Sequence, residues 1–278
     1  MIRRARTCDR RDIFNIWKTC FGDCDEYIDF FLSGAYDPER CLLFEDNGNT
    51  AAMLHLLPIT LKDGVERSDG DYVFAAATLP QYRKQGLMAS LLERAERESE
   101  SRGGKFLSLL PANERLYDYY ASTGFIKAQE LRRAGFTRRQ LEDIASPYDG
   151  KRLEPDKDKM YAQREDCFGT SMLWDRKMFY YALAEWRFTS GKALAWDEGY
   201  CLYRYCGAAA EIKEVCCPAN EFGKAAAVIL DAVEAESFTF YLDALRFSLG
   251  KAEPYGMIKP LGLYKPPKAP IYMNLAFD

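Results

Sequence analysis

The segment 77–88 constrains the fold more than any other part of the chain, because it joins a strand to a helix through a loop with two cations. An apolar strand over 71–79 is predicted to stop at Pro80, which cannot donate a ladder hydrogen bond. Gly86 then opens a helix that the apolar spacing predicts over 86–102. Amides in a first helical turn lack intrahelical partners, and the helix dipole adds positive charge there. The segment therefore predicts an anion cradle in an α/β fold, and a pyrophosphate is its natural guest.

Composition and charge narrow the class of protein. The 278 residues suit two domains, and the 48% hydrophobic content is enough to build their cores. The net charge is −4 and neither half is basic, which argues against nucleic acid and an anionic membrane surface as partners. No apolar run approaches the roughly 18 residues of a membrane-spanning helix, and no signal peptide is recognised. The nine cysteines form no Cys-x-x-Cys pair, so we expect reduced thiols, a cytoplasmic location and no metal site.

The predicted elements follow a similar order in the two halves: helices, strands, one long helix, then strands. In the second half they include a helix over 173–188 and a closing strand over 271–277. We therefore predict an α/β (α+β) protein with two similar domains, each a mixed, mostly antiparallel sheet flanked by helices. The domains are predicted at 1–145 and 159–278, with a linker over 146–158 that contains turn-forming residues. The second half has no counterpart of the cation loop, so we expect a degenerate copy that binds no cofactor.

A second motif follows the cradle along the chain. After a short buried strand predicted over 105–110, the segment 113–125 reads N-x6-Y-x3-G-F. Together with Arg83-x-x-Gly86, this segment resembles the GNAT N-acetyltransferase superfamily, in which the strand–loop–helix unit binds the pyrophosphate of coenzyme A. The resemblance covers about residues 1–135. Met88 is a large residue two positions after the motif glycine. In this respect the segment is similar to tandem-domain acetyltransferases of the enhanced-intracellular-survival type.

The resemblance implies acetyl-CoA as cosubstrate and suggests a role for each matching residue. The motif strand would pair with the pantetheine arm like an added strand, and the amides of the loop and helix start would hold the pyrophosphate. Arg83 and Lys84 would add positive charge. Tyr120 would donate a proton to the departing thiolate of coenzyme A. The residues with implied cofactor-binding roles are Ala77, Thr78, Leu79, Arg83, Lys84, Gln85, Gly86, Leu87, Met88 and Asn113.

Purely structural roles are the alternatives for some of these residues. Tyr120 follows two other tyrosines, and aromatic side chains at helical spacing are often core residues. Asn113 would bond to the pantetheine or to local backbone, and it also suits a helix N-cap. Met88 stands where the family usually has glycine or alanine, so its side chain must turn away from the phosphates.

The chemistry of the acceptor also requires a neutral amine. A lysine-like amine has a pKa near ~10.4, so the site needs a base or must desolvate the amine. Asp71 and Tyr72 are base candidates from their position at the start of the motif strand. His55 is a candidate because of its titration range, although a lone histidine on a strand is more often structural.

An acidic cluster lies between the first two predicted helices, at Asp23, Asp25 and Glu26. It would attract a cationic amine, or it is a solvated loop. The predicted function is therefore transfer of an acetyl group from acetyl-CoA to a primary amine, directly and in a ternary complex. The alternative is a non-catalytic acyl-CoA sensor or interaction module on the same fold. The acceptor would be a small-molecule or peptide amine, and the second domain could support a homodimer.

Overall fold

The computed structural model describes residues 1–277, and its elements follow the predicted order through most of the chain. The helices are α1 Arg10–Phe21, α2 Asp25–Gly34, α3 Leu87–Ser101, α4 Glu114–Ser122, α5 Arg138–Ile144, α6 Lys157–Cys167, α7 Arg176–Phe188 and α8 Phe222–Ala232. The strands are β1 Ile2–Arg4, β2 Cys41–Asp46, β3 Asn49–Asp63, β4 Glu66–Thr78, β5 Phe106–Leu109, β6 Ile126–Thr137, β7 Arg152–Leu153, β8 Thr170–Leu173, β9 Lys192–Trp196, β10 Gly199–Cys206, β11 Ala209–Cys216, β12 Ser237–Asp243 and β13 Lys251–Pro260.

The chain forms two compact units, and neither is one continuous segment. The first unit comprises 1–61, 66–127 and 256–266, and the second comprises 62–65, 128–255 and the residues from Pro267 onward. These units differ from the continuous segments 1–145 and 159–278 that the sequence predicts. The physical reason is that residues far apart in sequence contact each other. A short stretch such as 62–65 therefore belongs to a different unit from the residues on either side of it. For example, the Thr170 hydroxyl donates to Asp63 at 2.8 Å within the second unit.

The first unit contains strands in the order β1–β2–β3–β4–β5, and residues 257–260 of β13 pair with β5. The β1–β2, β2–β3 and β5–β13 pairs are antiparallel, whereas β4 and β5 are parallel. Leu91, Leu92 and Ala95 of α3 lie in the buried core of this unit, because they recur at helical spacing on one face. The mixed, mostly antiparallel sheet flanked by helices confirms the predicted fold class.

The second unit contains the strand order β6–β12–β11–β10–β9–β7, in which only the β11–β12 pair is parallel. Arg164 and Glu214 form a fully buried ion pair at 3.2 Å. The hydroxyl of Tyr200 donates to Glu214 at 2.6 Å. Buried charges require such partners. The stretch 146–158, predicted as a linker, contains β7 and the start of α6.

Two predicted elements differ from the structure, and one strand was not predicted. The helix predicted over 173–188 begins at Arg176, because Asp175 caps it by accepting from the amide of Met178 at 2.7 Å. The strand predicted over 271–277 reduces to isolated bridges. Strand β13 is absent from the prediction, because its prolines and glycine weaken the strand signal. Across residues 1–277, no helix is both long enough and apolar enough to cross a membrane.

Candidate functional site

Strand β4 has an open edge in the first unit. It pairs in parallel with β5 only at Asp71–Leu107 and Tyr72–Ser108, yet it continues to Thr78. Within the open stretch, Ala75 has a φ of 47°, a left-handed conformation that is uncommon outside glycine and that bends a strand locally. No sequence signal marks this residue. Because β4 does not pair with β5 after Tyr72, main-chain groups at this edge of β4 are available to an extended ligand.

The end of β4 determines which main-chain groups are available. The amide of Leu79 donates to Ala51 at 3.0 Å, and the carbonyl of Leu79 accepts from Tyr82 at 2.9 Å, so both groups are occupied. Because successive residues of a strand direct their main-chain groups to opposite sides, the groups of Thr78 face the open edge and those of Ala77 face β3. The carbonyl of Thr78 accepts from Arg83 Nε at 3.0 Å. Of the three predicted strand positions, Thr78 therefore offers its amide to the open edge.

The loop after β4 presents a run of amides. A 3-10 turn over Pro80–Tyr82 leads to Lys84, whose φ is 62°, and then to Gly86, whose φ is 78°. The first bond of α3 runs from the Ser90 amide to the Gly86 carbonyl at 3.1 Å. No side chain caps the helix start, and its first turn holds no acidic residue. The three amides that precede Ser90 therefore lack intrahelical partners, as helix geometry requires.

The side chains around this loop leave the amides accessible. Arg83, Lys84 and Gln85 are exposed. No heavy atom lies within 4 Å of a Cβ built on Gly86, so there is space for a side chain at this position. The positive φ is therefore the reason for the glycine. Leu87 and Met88 pack against the buried core of the unit. The Met88 side chain thus lies against apolar side chains.

Tyr120 lies on α4, in the same buried core as Val73 of β4. Its side chain is 8% exposed, and its ring packs edge-on against Phe125 with centroids 5.7 Å apart. Burial, with a smaller effect of the Tyr119 phenol, raises the pKa of Tyr120 to about 12. No hydrogen bond to its hydroxyl is found among residues 1–277. The hydroxyl is therefore protonated at neutral pH and uncommitted to a protein partner.

The ends of α4 explain the rest of the second motif. The Asn113 side chain accepts from the Leu116 amide at 3.3 Å, which is the N-cap role. Gly124 has a φ of 94°, and a Cβ there would lie 3.0 Å from Lys259 Cε. Lys259 Nζ donates to the Thr123 carbonyl at 2.6 Å and also contacts Glu96. Lys259 therefore holds the end of α4 to α3, a role that sequence analysis missed because β13 was not predicted.

The three base candidates are buried, and their contacts differ. Both carboxylate oxygens of Asp71 are occupied, by Arg40 at 2.7 Å and Arg102 at 3.2 Å. Tyr72 is 3% exposed, with its ring stacked near Phe74.

His55 lies within an aromatic cluster. Its ring centroid is 5.0 Å from that of Phe31 and 5.9 Å from that of Trp17. Burial lowers the pKa of His55 to about 3, and its Nε2 atom has no hydrogen-bond partner in the described part of the chain. A neutral, dry imidazole of this kind is a poor proton acceptor. The chain position of His55 on β3 thus does not expose it to an amine.

The acidic cluster between α1 and α2 is partly engaged in structure. Asp23 accepts from the indole of Trp17 at 2.7 Å, and Asp25 pairs with Lys18 at 2.6 Å. Glu26 is exposed in the first turn of α2, where a carboxylate complements the helix dipole. Among residues 1–277, no group of three or more His, Cys, Asp or Glu side chains is arranged to hold a metal ion.

Residues 1–127 match a family model described as an acetyltransferase (GNAT) domain. The match ends at the same residue as the 66–127 segment of the first unit. The N-terminal part of the chain is thus similar to a GNAT acetyltransferase domain.

Solved structures extend the likeness in fold to most of the chain. A GCN5-related N-acetyltransferase from Kribbella flavida is 14% identical, with 94% of this chain and 71% of that chain covered and a TM-score of 0.75. Eis1 from Mycobacterium abscessus is 14% identical, with 94% and 73% covered and a TM-score of 0.72. Saccharomyces cerevisiae N-myristoyltransferase with bound myristoyl-CoA is 8% identical, with 94% and 78% covered and a TM-score of 0.54. At these identities the likeness shows the fold. A search of curated protein sequences found no match.

Proposed function

We propose that this protein is an acetyl-CoA-dependent N-acetyltransferase that transfers the acetyl group to a primary amine. The observation that carries the proposal is the open edge of β4 running directly into the unpaired amides before Ser90. A strand-like pantetheine arm and a pyrophosphate are joined in coenzyme A in this same order. The GNAT match over residues 1–127 supports the assignment.

In the proposed complex, the protein binds coenzyme A mainly through its main chain. The Thr78 amide pairs with the pantetheine arm, and the amides of the loop and of the first turn of α3 hold the pyrophosphate. In this complex Arg83 gives up its hydrogen bond to the Thr78 carbonyl. Its side chain then lies with that of Lys84 beside the charged phosphates. Asn113 keeps its N-cap bond, which orders the start of α4.

The proposed reaction is one direct transfer in a ternary complex. The amine nitrogen attacks the thioester carbon, the C–N bond forms and the C–S bond breaks. Coenzyme A departs as a thiolate and takes the proton of the Tyr120 hydroxyl. The uncommitted and protonated state of that hydroxyl supports this role.

The amine must lose a proton, and the base candidates differ in how far their surroundings allow them to accept it. The ion pairs of Asp71 and the dry environment of His55 oppose proton acceptance. Tyr72 is the general-base candidate to test. Its ring stacks beside Phe74, and Phe74 packs on α1 and α2. The acidic residues of the loop between α1 and α2 would then attract the cationic amine before it is deprotonated.

The second unit is proposed to bind no coenzyme A. The N-cap of its corresponding helix α8 is Glu221, a carboxylate that pairs with Lys224 at 2.6 Å and would repel a phosphate. The many free cysteines suit a reducing cytoplasm. We also propose that the two units are tandem copies of one domain and that the second copy is degenerate.

The decisive experiment combines turnover with binding. Purified protein is given acetyl-CoA and a panel of aminoglycosides, polyamines, amino acids and peptides, and acetylated products are identified by mass spectrometry. Calorimetry measures binding of acetyl-CoA and of myristoyl-CoA. Binding of acetyl-CoA together with an acetylated amine supports the proposal. Tight acyl-CoA binding without any product indicates the sensor alternative, and absence of binding refutes both.

A further inference from the structure

The second unit contains a cavity of about 330 Å³ with three cysteines in its lining. The lining also contains the charged residues Asp166, Glu198 and Arg246. Cys167 is the last residue of α6, and Cys216 is the last residue of β11. The volume admits a small oxidant or alkylating reagent, at the lower end of the range for ligand sites. None of these groups belongs to the acyltransferase chemistry proposed above.

One carbonyl oxygen brings the thiol and a cation together. The Cys167 thiol donates to the Cys217 carbonyl at 3.4 Å, and the Arg246 guanidinium donates to the same oxygen. The Nη1 atom of Arg246 is buried and has no hydrogen-bond partner in the part of the chain that the structure describes. A positive charge with unused hydrogen-bonding capacity therefore lies next to the Cys167 sulfur.

The two thiols differ in their surroundings. A hydrogen bond with the Cys216 thiol lowers the pKa of Cys167, and the charge of Arg246 acts in the same direction. Burial raises the pKa of Cys216 well above its ordinary range, and Cys216 is only 1% exposed. Cys167 is half-buried at the cavity. This is the arrangement of a reactive thiolate with a protected second thiol behind it.

We propose that Cys167 and Cys216 are a redox pair that hydroperoxides convert to an intramolecular disulfide. The Cys167 thiolate attacks a peroxide oxygen, the O–O bond breaks, and Cys167 becomes a sulfenic acid while the released hydroxide or alkoxide takes a proton from water. The Cys216 sulfur then attacks the Cys167 sulfur. The S–S bond forms, the S–O bond breaks, and the leaving oxygen takes the Cys216 proton to give water. Two thiols lose two electrons, and one hydroperoxide is reduced.

The disulfide would join the end of α6 to the end of β11 across a loop of about 50 residues, a length for which chain-entropy models expect stabilisation. In a reducing cytoplasm such a bond is transient and reports oxidant level. The redox pair is independent of acetyl transfer, so the two proposals can fail separately.

The test uses the full chain and hydrogen peroxide. After oxidation, denaturation in acid and alkylation, the free thiols should fall from nine to seven. Tryptic digestion should link the peptide 165–176 to the peptide 214–224. Because Cys216 and Cys217 share the second peptide, the link should persist in Cys217→Ser and disappear in Cys216→Ser, where dimedone should trap the Cys167 sulfenic acid.

Two further variants make the result specific. Arg246→Gln should slow oxidation of Cys167 severalfold, whereas Cys206→Ser, at an exposed thiol of β10, should change nothing. If Cys216→Ser misfolds, Cys216→Ala and the wild-type digest give the same answer. A Cys167–Cys217 link, no link at all, or equal oxidation of Cys206 and Cys167 would overturn the redox pair.

Discussion

Replacement of Tyr120 by phenylalanine separates a catalytic hydroxyl from a core aromatic ring. The change keeps the ring that packs against Phe125 and removes only an oxygen that makes no hydrogen bond among residues 1–277. No bonded partner is left unsatisfied, so we expect the free energy of unfolding at neutral pH to change by no more than about 0.5 kcal/mol.

The effect on turnover should be far larger than the effect on stability. General acid catalysis typically contributes roughly 10²- to 10⁴-fold, or about 3 to 5 kcal/mol of activation free energy. We therefore expect Tyr120→Phe to lower kcat by at least about 100-fold. Acetyl-CoA binding should stay close to that of the wild type, because the proposed phosphate contacts come from main-chain amides and not from this phenol.

A pH series gives an independent check on the same residue. The pKa of Tyr120 is about 12 in the folded protein against 10.0 in the reference state. Above pH 10 the unfolded chain therefore binds fewer protons than the folded one, and stability falls as pH rises. At pH 11 this linkage removes about 1.4 kcal/mol from the wild type. Tyr120→Phe lacks it, so the variant should lose less stability between pH 8 and pH 11.

The measurements are steady-state kinetics with the best amine of the panel, calorimetry with acetyl-CoA, and urea unfolding at the two pH values. Tyr119→Phe is the matched control, because Tyr119 is half-buried and next to Tyr120 on α4. That variant should keep its kcat. Unchanged turnover in Tyr120→Phe would refute the assignment, and an equal loss in both variants would mean that the effect is not specific to the Tyr120 hydroxyl.

Three other predictions follow from single residues. Gly86→Ala should destabilise the protein by about 1 kcal/mol, because alanine disfavours the positive φ, and should weaken acetyl-CoA binding in calorimetry. Gly135→Ala is its control, since a Cβ there meets no atom within 4 Å and φ is not positive. His55 has its pKa lowered to about 3 from 6.5, so the unfolded chain binds more protons below pH 6.5 and stability falls with acidification. Between pH 8 and pH 5 the wild type should lose about 2 kcal/mol more than His55→Leu in urea unfolding, and equal losses would contradict the buried neutral imidazole. Glu214→Gln should destabilise by about 3 to 5 kcal/mol in the same assay, because it leaves a buried guanidinium without its counter-charge. Glu211→Gln, in a more exposed pair, should change stability by less than about 1 kcal/mol.

Local patterns predicted the helices of the first unit and the start of its candidate site. The apolar spacing of α3, the proline after β4 and the glycine before α3 all act on neighbouring residues, so they can be read without knowledge of the fold. The register from Asn113 to Gly124 likewise predicted α4, and the structure adds that Asn113 caps it. The thiol pair was not predicted, because its two cysteines are 49 positions apart.

The sequence by itself therefore determined most of the elements, the fold class and the strand–loop–helix order around Pro80, because dihedral preferences, helix ends and apolar periodicity depend on short stretches of chain. Only the tertiary structure decided that β4 separates from β5 after Tyr72 and that β13 returns to the first unit. It also decided that two arginines occupy Asp71. Each of these depends on pairing between residues far apart in the chain, where ladder register and charge compensation are fixed by packing that no local pattern records.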